Sequence, residues 1–417
     1  MLVDLFPRDH GRYSSLPLFG TVMNHFADWL IERGYNHTRV CRHLRTTRDL
    51  DDALRSRSCG SLEEITREKL HACAPKRAKD DPNIASTVQL WHLYLEDQGS
   101  FAEPRPTLTG KLLGEFAEYL QGVRGLSMIT IRRHQRTASQ FLTQCAYEEA
   151  SAMLAKNVDR NAVEAFVRVT GQRVDRASLQ HEIAHLRSFL RFLAGRGQIK
   201  VGLDTEIDTP RIYRGEQLPR SVPWETVQKF MSSIDRDARS GLRDYAMFLL
   251  ITTYGLRASE VVTLRLDDIQ WRLGRIRIPI RKTGSELVLP LMDSVGESLV
   301  AYLRSARPGL SHREVFLRCR APAGPLKPTA VTNAFEKWTK RSGLNMPVQG
   351  PHCLRHSYAL HLLRQGVPLK VLGDLLGHRN AESTSVYVRL SVEDLRDVAL
   401  DLPDGSGLIH TEEDRYE

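Results

Sequence analysis

Two proline-rich stretches constrain the fold most, because they divide the chain into three blocks. Residues 102–108 read Ala-Glu-Pro-Arg-Pro-Thr-Leu, and residues 203–224 contain three prolines among polar residues. Proline lacks a backbone N–H donor and pushes the preceding residue towards extended geometry, so both stretches are typical of linkers. The predicted domains are residues 1–101, 108–202 and 224–402, with a linker at 203–223 and a flexible tail at 403–417.

The first two blocks have matching helical patterns. Phe26-Ala-Asp-Trp-Leu is followed by Gly34, and Phe116-Ala-Glu-Tyr-Leu is followed by Gly125. A glycine just beyond an apolar helical stripe is typical of a helix C-terminus. We interpret the match as a duplication of a small helical module. The alternative is a chance similarity between two amphipathic helices.

Both blocks also carry arginines at helical spacing, which gives each helix one basic face. A solvated surface is the alternative for either run alone, whereas two runs at matching places favour contact with the DNA backbone. The predicted DNA-contacting residues are Arg39, Arg42, Arg45, Arg132, Arg133 and Arg136.

The third block combines helical patterns with one predicted hairpin. Residues 275–280 and 286–291 have the composition of strands, and Lys282-Thr-Gly-Ser lies between them as a turn. We predict a mainly α fold, with helical N-terminal DNA-binding modules and a mixed α+β third domain that contains a small antiparallel sheet. The predicted helices of this block cover 225–234, 241–254, a start near Ser259, 293–305, 329–341, 355–365, 368–376 and 391–399.

Composition favours a polyanionic partner and gives no sign of a metal site. The net charge of +9 suits a protein that displaces counterions from phosphates, although a basic solvated surface is the alternative. The six cysteines are scattered without a CxxC pair, so we expect reduced thiols and neither a structural zinc ion nor a cofactor. We find no apolar run of spanning length and no signal-peptide pattern, and therefore expect a cytoplasmic, nucleoid-associated protein without a membrane anchor.

The third block also carries six polar residues that together suit phosphodiester chemistry. Guanidinium groups neutralise the nonbridging oxygens of a phosphate, and imidazoles donate hydrogen bonds to it. An ammonium group can protonate a leaving oxygen, and a phenol surrounded by cations can act as the nucleophile. The candidate catalytic residues are Arg257, Lys282, His352, Arg355, His378 and Tyr387.

Each candidate also has a structural alternative. An arginine near a helix end is commonly a surface ion pair, and a hairpin lysine is commonly solvated. The histidines lack the acidic third ligand of a helical zinc motif. Tyr387 could be a core aromatic residue, an interpretation that we prefer for Tyr254 and Tyr358. We interpret His356 and His361 as packing or surface residues.

The stretches around these residues resemble the tyrosine recombinase (phage integrase) family over about residues 110–400. The resemblance rests on Thr253-Tyr-Gly-Leu-Arg257-Ala-Ser-Glu260, the hairpin at Lys282, His352-Cys-Leu-Arg355-His, Leu376-Gly-His378 and Tyr387. It implies a core-binding (SAM-like) domain in the second block and Lys282 as the general acid. Attack by Tyr387 would form a 3′-phosphotyrosyl bond. Glu260 would orient a catalytic cation, with a helix-start carboxylate as its alternative role.

The resemblance further implies a site-specific recombinase that acts as a homotetramer on double-stranded DNA and exchanges strands through a Holliday junction. The extra first block favours a mobile-element integrase or transposase, acting alone or with related recombinases. Two alternatives stay open at this point. One is DNA relaxation of the type IB topoisomerase kind, and the other is a catalytically idle accessory DNA-binding protein.

Overall fold

The computed structural model divides the chain into two compact units and describes most of its residues. The described residues are 1–75, 77, 79–101, 107–145, 158–211, 220–279, 286–344, 346, 350–378 and 382–388. The first unit comprises Met1–Pro7, Asn24–Arg42 and Gln217–Glu417, and the second comprises Arg8–Met23 and His43–Glu216. Residues of the first sequence block therefore contribute to both units. The predicted domain boundaries stay a prediction.

Helices account for the described part of the first block. They are α1 (Leu2–Leu5), α2 (His10–Ser14), α3 (Met23–Glu32), α4 (His37–Arg55), α5 (Arg67–Ala72) and α6 (Pro82–Asp97). α6 begins where the Asp81 carboxylate accepts hydrogen bonds from two backbone N–H groups and proline occupies the first helical position. In the second unit, Trp91 of this helix packs on Phe19 and donates a hydrogen bond from Nε1 to Thr47 Oγ1, 2.8 Å away. An aromatic core thus ties α6 to α4.

The second block is a small helical bundle. Its helices are α7 (Leu108–Gly122), α8 (Met128–Gln144), α9 (Arg160–Gly171) and α10 (Arg176–Gly195). Each begins at a Thr, Ser or Asp whose side chain accepts a hydrogen bond from a backbone N–H of the first turn. Phe116 and Phe189 meet edge to face in the core, with ring centroids 5.0 Å apart.

In the third block, a three-stranded sheet and several helices pack around one largely buried helix, Arg239–Tyr254. Its helices are α11 (Trp224–Ser232), α12 (Arg239–Tyr254), α13 (Ala258–Thr263), α14 (Asp293–Ser305), α15 (Pro328–Ser342), α16 (His352–Arg364), α17 (Leu369–Leu376) and α18 (Glu382–Ser385). The strands are β1 (Ile269–Gln270), β2 (Arg275–Ile278) and β3 (Leu287–Pro290), in the order β1-β2-β3.

The sheet is antiparallel, and β2 and β3 pair with Ile276 opposite Leu289. Both side chains are buried in the core, as expected when one face of a sheet packs on helices. The Tyr254 hydroxyl donates to Pro290 O and accepts from the Met292 N–H, which joins the end of α12 to the sheet. Tyr254 is therefore structural, as its apolar surroundings indicated.

The mainly α fold class and the small antiparallel sheet are confirmed. The short strand β1 has no alternating pattern of its own and escaped prediction. Two predicted features, the hairpin turn at 282–285 and the helix at 391–399, lie outside the described residues.

Candidate active site

The sharp corner between α12 and α13 positions Arg257. α12 ends at Gly255, whose φ of +64° lies in the left-handed region that glycine adopts readily. A Cβ atom at this position would lie 2.8 Å from Tyr358 and 2.9 Å from Leu376. Both the conformation and the space therefore require glycine, and the chain turns directly into Arg257.

Replacing Gly255 by alanine should destabilise the protein. The left-handed conformation costs a non-glycine residue about 1–2 kcal/mol, and overpacking adds about 1–3 kcal/mol. Gly274→Ala is the matched control, because Gly274 also has a positive φ of 58° but nothing within 4 Å of an added Cβ. We expect urea unfolding at a clearly lower midpoint for Gly255→Ala than for Gly274→Ala. Equal midpoints would show that the tight packing at Gly255 is unimportant.

Glu260 holds Arg257 in place. Its carboxylate accepts the Arg257 backbone N–H at 2.8 Å and the Arg257 Nη1–H at 2.8 Å, and only 2% of the residue is exposed. The first contact caps α13, and the second orients the guanidinium group. Glu260 therefore contacts both the start of α13 and the Arg257 guanidinium group, and its part in catalysis stays a prediction.

Arg355 is buried and bonded to the C-terminal ends of two helices. This residue of α16 is 2% exposed. Its Nη1 donates to Gly255 O at the end of α12, and its Nη2 donates to Leu376 O at the end of α17, 2.5 Å away. Arg257 Nη2 also donates to Gly377 O, 3.3 Å away. Helix C-termini carry partial negative charge, so these carbonyl groups stabilise both cations.

Tyr387 lies in the same site, and its hydroxyl is hydrogen-bonded to an imidazole. Its Oη is 2.8 Å from His356 Nδ1, and the His378 ring lies nearly parallel to the phenol with centroids 6.3 Å apart. His378 Nδ1 in turn lies 2.9 Å from Thr384 Oγ1. Tyr387 is 2% exposed and packs in an apolar cluster with Leu372 and Leu376. The structure therefore shows the phenol closed off from solvent.

The surroundings shift three pKa values. Burial raises the pKa of Tyr387, against the opposing effect of Arg355 and Arg257. Burial, assisted by His352 and Arg355, lowers the pKa of His356 to about 4. Partial desolvation of its ring, together with the Arg355 and Arg257 guanidinium groups, also lowers the pKa of His352, which keeps part of its surface exposed at the rim of the site. At neutral pH these directions keep the Tyr387 phenol protonated and the imidazoles of His352 and His356 uncharged, beside the two guanidinium cations.

Five of the six predicted catalytic residues are described, and all five lie in this site. His352 joins it through His356, one helical turn further along α16, with ring centroids 4.7 Å apart. Lys282 lies outside the described residues. Among the residues that the structure describes, no group of three or more His, Cys, Asp or Glu side chains could hold a metal ion.

Comparison with known proteins identifies the family. The model of the phage integrase family matches residues 221–394, and the model of the phage integrase N-terminal SAM-like domain matches residues 113–197. The putative integrase/recombinase y4rA of Sinorhizobium fredii is 33% identical over 387 residues, which cover 91% of this chain and 93% of that protein. The chain belongs to the phage integrase family of tyrosine recombinases. Enzymes of this family cleave and rejoin DNA.

Other relatives of this tyrosine recombinase differ in how much of it they match. XerD of Listeria innocua is 32% identical over 295 residues, which cover 69% of this chain and 96% of XerD. The structure resembles XerH bound to its palindromic difH substrate, with a TM-score of 0.54 at 18% identity over 80% of this chain and 92% of XerH. A lambda integrase tetramer bound to a Holliday junction gives a TM-score of 0.53 at 18% identity, over 74% and 87% of the two chains. The structural matches show a shared fold.

His356 of the recombinase is the site residue that sequence reasoning missed. We interpreted it as a packing or surface residue, yet its Nδ1 lies within hydrogen-bond distance of the Tyr387 hydroxyl, 2.8 Å away. It follows Arg355 directly and lies four residues after His352, on the same face of α16. That spacing is the signal that could have identified it. His361 does pack as expected, since it stacks on Trp224 with ring centroids 4.2 Å apart.

The arginines predicted to contact DNA lie in different surroundings. On α4, Arg42 and Arg45 are exposed and Arg39 is half-buried. On α8 all three are exposed, and Arg136 Nη2 pairs with Glu182 Oε1 at 3.2 Å. Their role in DNA binding stays a prediction.

No helix in the described ranges is long and apolar enough to cross a membrane.

Proposed function

We propose that this recombinase cuts and rejoins specific DNA sites through a covalent bond between Tyr387 and the 3′ phosphate. One observation carries the proposal: two arginines fixed by helix C-termini and the buried Tyr387 hydroxyl belong to a single site. Two guanidinium groups can neutralise the charge that develops on the nonbridging oxygens during attack. The same site supplies an imidazole for the phenol proton.

The proposed cleavage step is a transesterification. Tyr387 Oη forms a bond to phosphorus while the bond from phosphorus to the 5′ oxygen breaks. The phenol proton moves to His356, which accepts at Nδ1 in the tautomer that carries its proton on Nε2. Lys282 donates a proton to the departing 5′ oxygen, the role that the family resemblance gave it. Attack by a 5′ hydroxyl reverses these transfers and rejoins the strand.

A nicked suicide substrate tests this proposal. Its short cleaved fragment diffuses away, so the covalent complex accumulates and is seen on a denaturing gel. Labels placed on the two sides of the scissile bond show which end the protein retains. We expect the protein to retain the 3′ phosphate and to release a 5′ hydroxyl. No covalent complex with a verified site would contradict the proposal, and site-independent supercoil relaxation would favour a topoisomerase.

His356→Phe should slow strand cleavage by about 10²-fold, because it removes the acceptor for the Tyr387 proton. DNA affinity should remain close to that of the wild type. The matched control is His361→Phe, which makes the same substitution on α16 and preserves aromatic stacking on Trp224. Single-turnover cleavage of the suicide substrate measures the effect. Equal rates for the two variants would return His356 to a packing role.

We further propose that four protomers join two DNA sites and serve the integration or transposition of a mobile element. The support comes from y4rA and from y4rF of the same organism, which match 91% and 93% of this chain and are named putative integrase/recombinase. The match to XerD covers only 69% of it. Such an enzyme would act on cytoplasmic, nucleoid DNA, alone or with related recombinases.

A further inference from the structure

The turn between α3 and α4 docks on a loop of the catalytic sequence within the first unit. The Ala323 N–H donates to Arg33 O, 2.8 Å away. Gly34 follows with a φ of +81°, and a Cβ atom there would lie 3.5 Å from the Ala323 Cβ. The Arg33 guanidinium group lies 3.8 Å above the centroid of the Trp29 ring, which supports the turn. Segments separated by almost 300 positions in the sequence therefore form one surface.

This surface contains a cavity with four arginines and no acidic residue in its lining. The cavity has a volume of about 460 Å³. Arg39 comes from the first sequence block, Arg239 begins α12, and Arg318 and Arg320 belong to the loop. Arg39 and Arg318 also contribute to the electrostatic surroundings of Tyr35. Arginines from three separate segments therefore line the same cavity.

Within the described part of the chain, no carboxylate forms an ion pair with any of these four arginines. The Arg318 side chain makes a long hydrogen bond, 3.5 Å from Nη1 to Pro322 O. Other arginines of the same unit have close acidic partners, as Arg243 has in Asp244 at 2.7 Å. Four like charges around one cavity repel each other, so an anion bound there would relieve the repulsion.

The form of the cavity favours a polyanion over a free phosphate. Arg318 and Arg320 also line a second cavity of about 560 Å³ together with Arg243, Lys337 and one carboxylate, Asp244. Asp244 pairs with Arg243 at 2.7 Å and with Lys337 at 3.6 Å, so the lining keeps more cations than carboxylates. The positive surface therefore continues beyond a single anion site. Successive phosphates of a DNA strand match such a surface, and guanidinium groups match phosphate oxygens with paired donors.

We propose that Arg39, Arg239, Arg318 and Arg320 bind a phosphodiester of the DNA backbone away from the cleaved bond. The proposal rests on the proposed function, which makes DNA the polyanion. It gives the first sequence block a direct part in DNA binding, because the four-arginine cavity is incomplete without Arg39. Backbone binding of this kind is independent of base sequence.

The salt dependence of DNA binding tests this proposal. The probe is a fluorescein-labelled duplex of arbitrary sequence, titrated with full-length protein at several salt concentrations. For Arg39→Gln/Arg320→Gln, the slope of log affinity against log salt should become shallower by about 1–2. Arg272→Gln/Arg304→Gln is the matched control, since it removes two exposed arginines of the same unit outside the cavity. We expect the control to retain the wild-type slope.

Three results would overturn the proposal. The first is a wild-type slope in the cavity variant, and the second is an equal change in the control. The third is stabilisation by inorganic phosphate that is lost in the variant while the DNA slope is unchanged, which would indicate a free anion site. If the double variant is unfolded by circular dichroism, Arg320→Glu at an exposed position replaces it and should also make the slope shallower. The suicide substrate separates this proposal from the proposed cleavage by Tyr387. At a concentration that saturates the substrate, the cavity variant should still form the covalent complex.

Discussion

Tyr387→Phe is expected to abolish the covalent complex, with a loss of about 10³-fold or more in strand cleavage. The substitution removes the attacking oxygen and leaves the ring in its apolar cluster. It also removes the hydrogen bond to His356, which should lower the free energy of unfolding by only about 1 kcal/mol. The suicide substrate measures the loss, and DNA affinity should remain at the wild-type level.

Tyr358→Phe is the matched control for this substitution. Tyr358 lies on α16 in the same unit, and it packs against Gly255 and Tyr387's apolar cluster. Removing its hydroxyl should leave the covalent complex near its wild-type yield. The assignment of the nucleophile would be wrong if Tyr387→Phe formed the complex as well as the wild type, or if only Tyr358→Phe failed to form it.

Arg355→Lys should slow cleavage by about 10³-fold while preserving the charge. Lysine has no planar pair of donors, so it cannot bond at once to Gly255 O, Leu376 O and a phosphate oxygen. Some loss of stability is also expected, because at least one buried carbonyl group loses its donor. Single-turnover cleavage at saturating protein separates the effect on chemistry from weaker DNA binding.

Arg243→Lys provides the control for stability. Arg243 is also largely buried and bonded, with its side chain 13% exposed and Nη2 2.7 Å from Asp244 Oδ1. Its other hydrogen bonds within the described residues go to Leu317 O and Cys319 Sγ, away from the candidate catalytic residues. We expect its thermal unfolding midpoint to fall while cleavage at saturating protein continues. If the two variants cleave equally well, Arg355 acts in folding alone and the proposed phosphate contact fails.

Local patterns were sufficient to predict much of the fold and the site. Gly255 stopped α12 where the apolar spacing ended, and the alternation at 275–280 and 286–291 gave two strands of the sheet. The five described catalytic candidates lie together as their combination suggested. Their roles remain predictions, and Lys282 stays one from the sequence alone.

Contacts between distant segments were beyond the sequence pattern. The hydrogen bond between the Tyr387 hydroxyl and His356 could not be predicted from local pattern, because 31 residues, including all of α17, separate the two in sequence. The docking of Arg33 and Gly34 on the loop at Ala323 depends on backbone geometry, which residue periodicity does not encode. The short strand β1 is defined by its pairing with β2, and its two residues are too few to show an alternating pattern.

Backbone carbonyl groups, rather than side chains, accept the two hydrogen bonds described for Arg355. A single amino-acid change at a partner position cannot delete a carbonyl oxygen, whereas it can delete a carboxylate. The arrangement therefore tolerates mutation of its acceptors as long as the backbone keeps its path. The positions most sensitive to substitution are then Gly255 and Gly377, the glycines with left-handed geometry that end the two helices. For this recombinase, the positioning of the Arg355 guanidinium group is therefore sensitive to substitution at two residues that have no side chain.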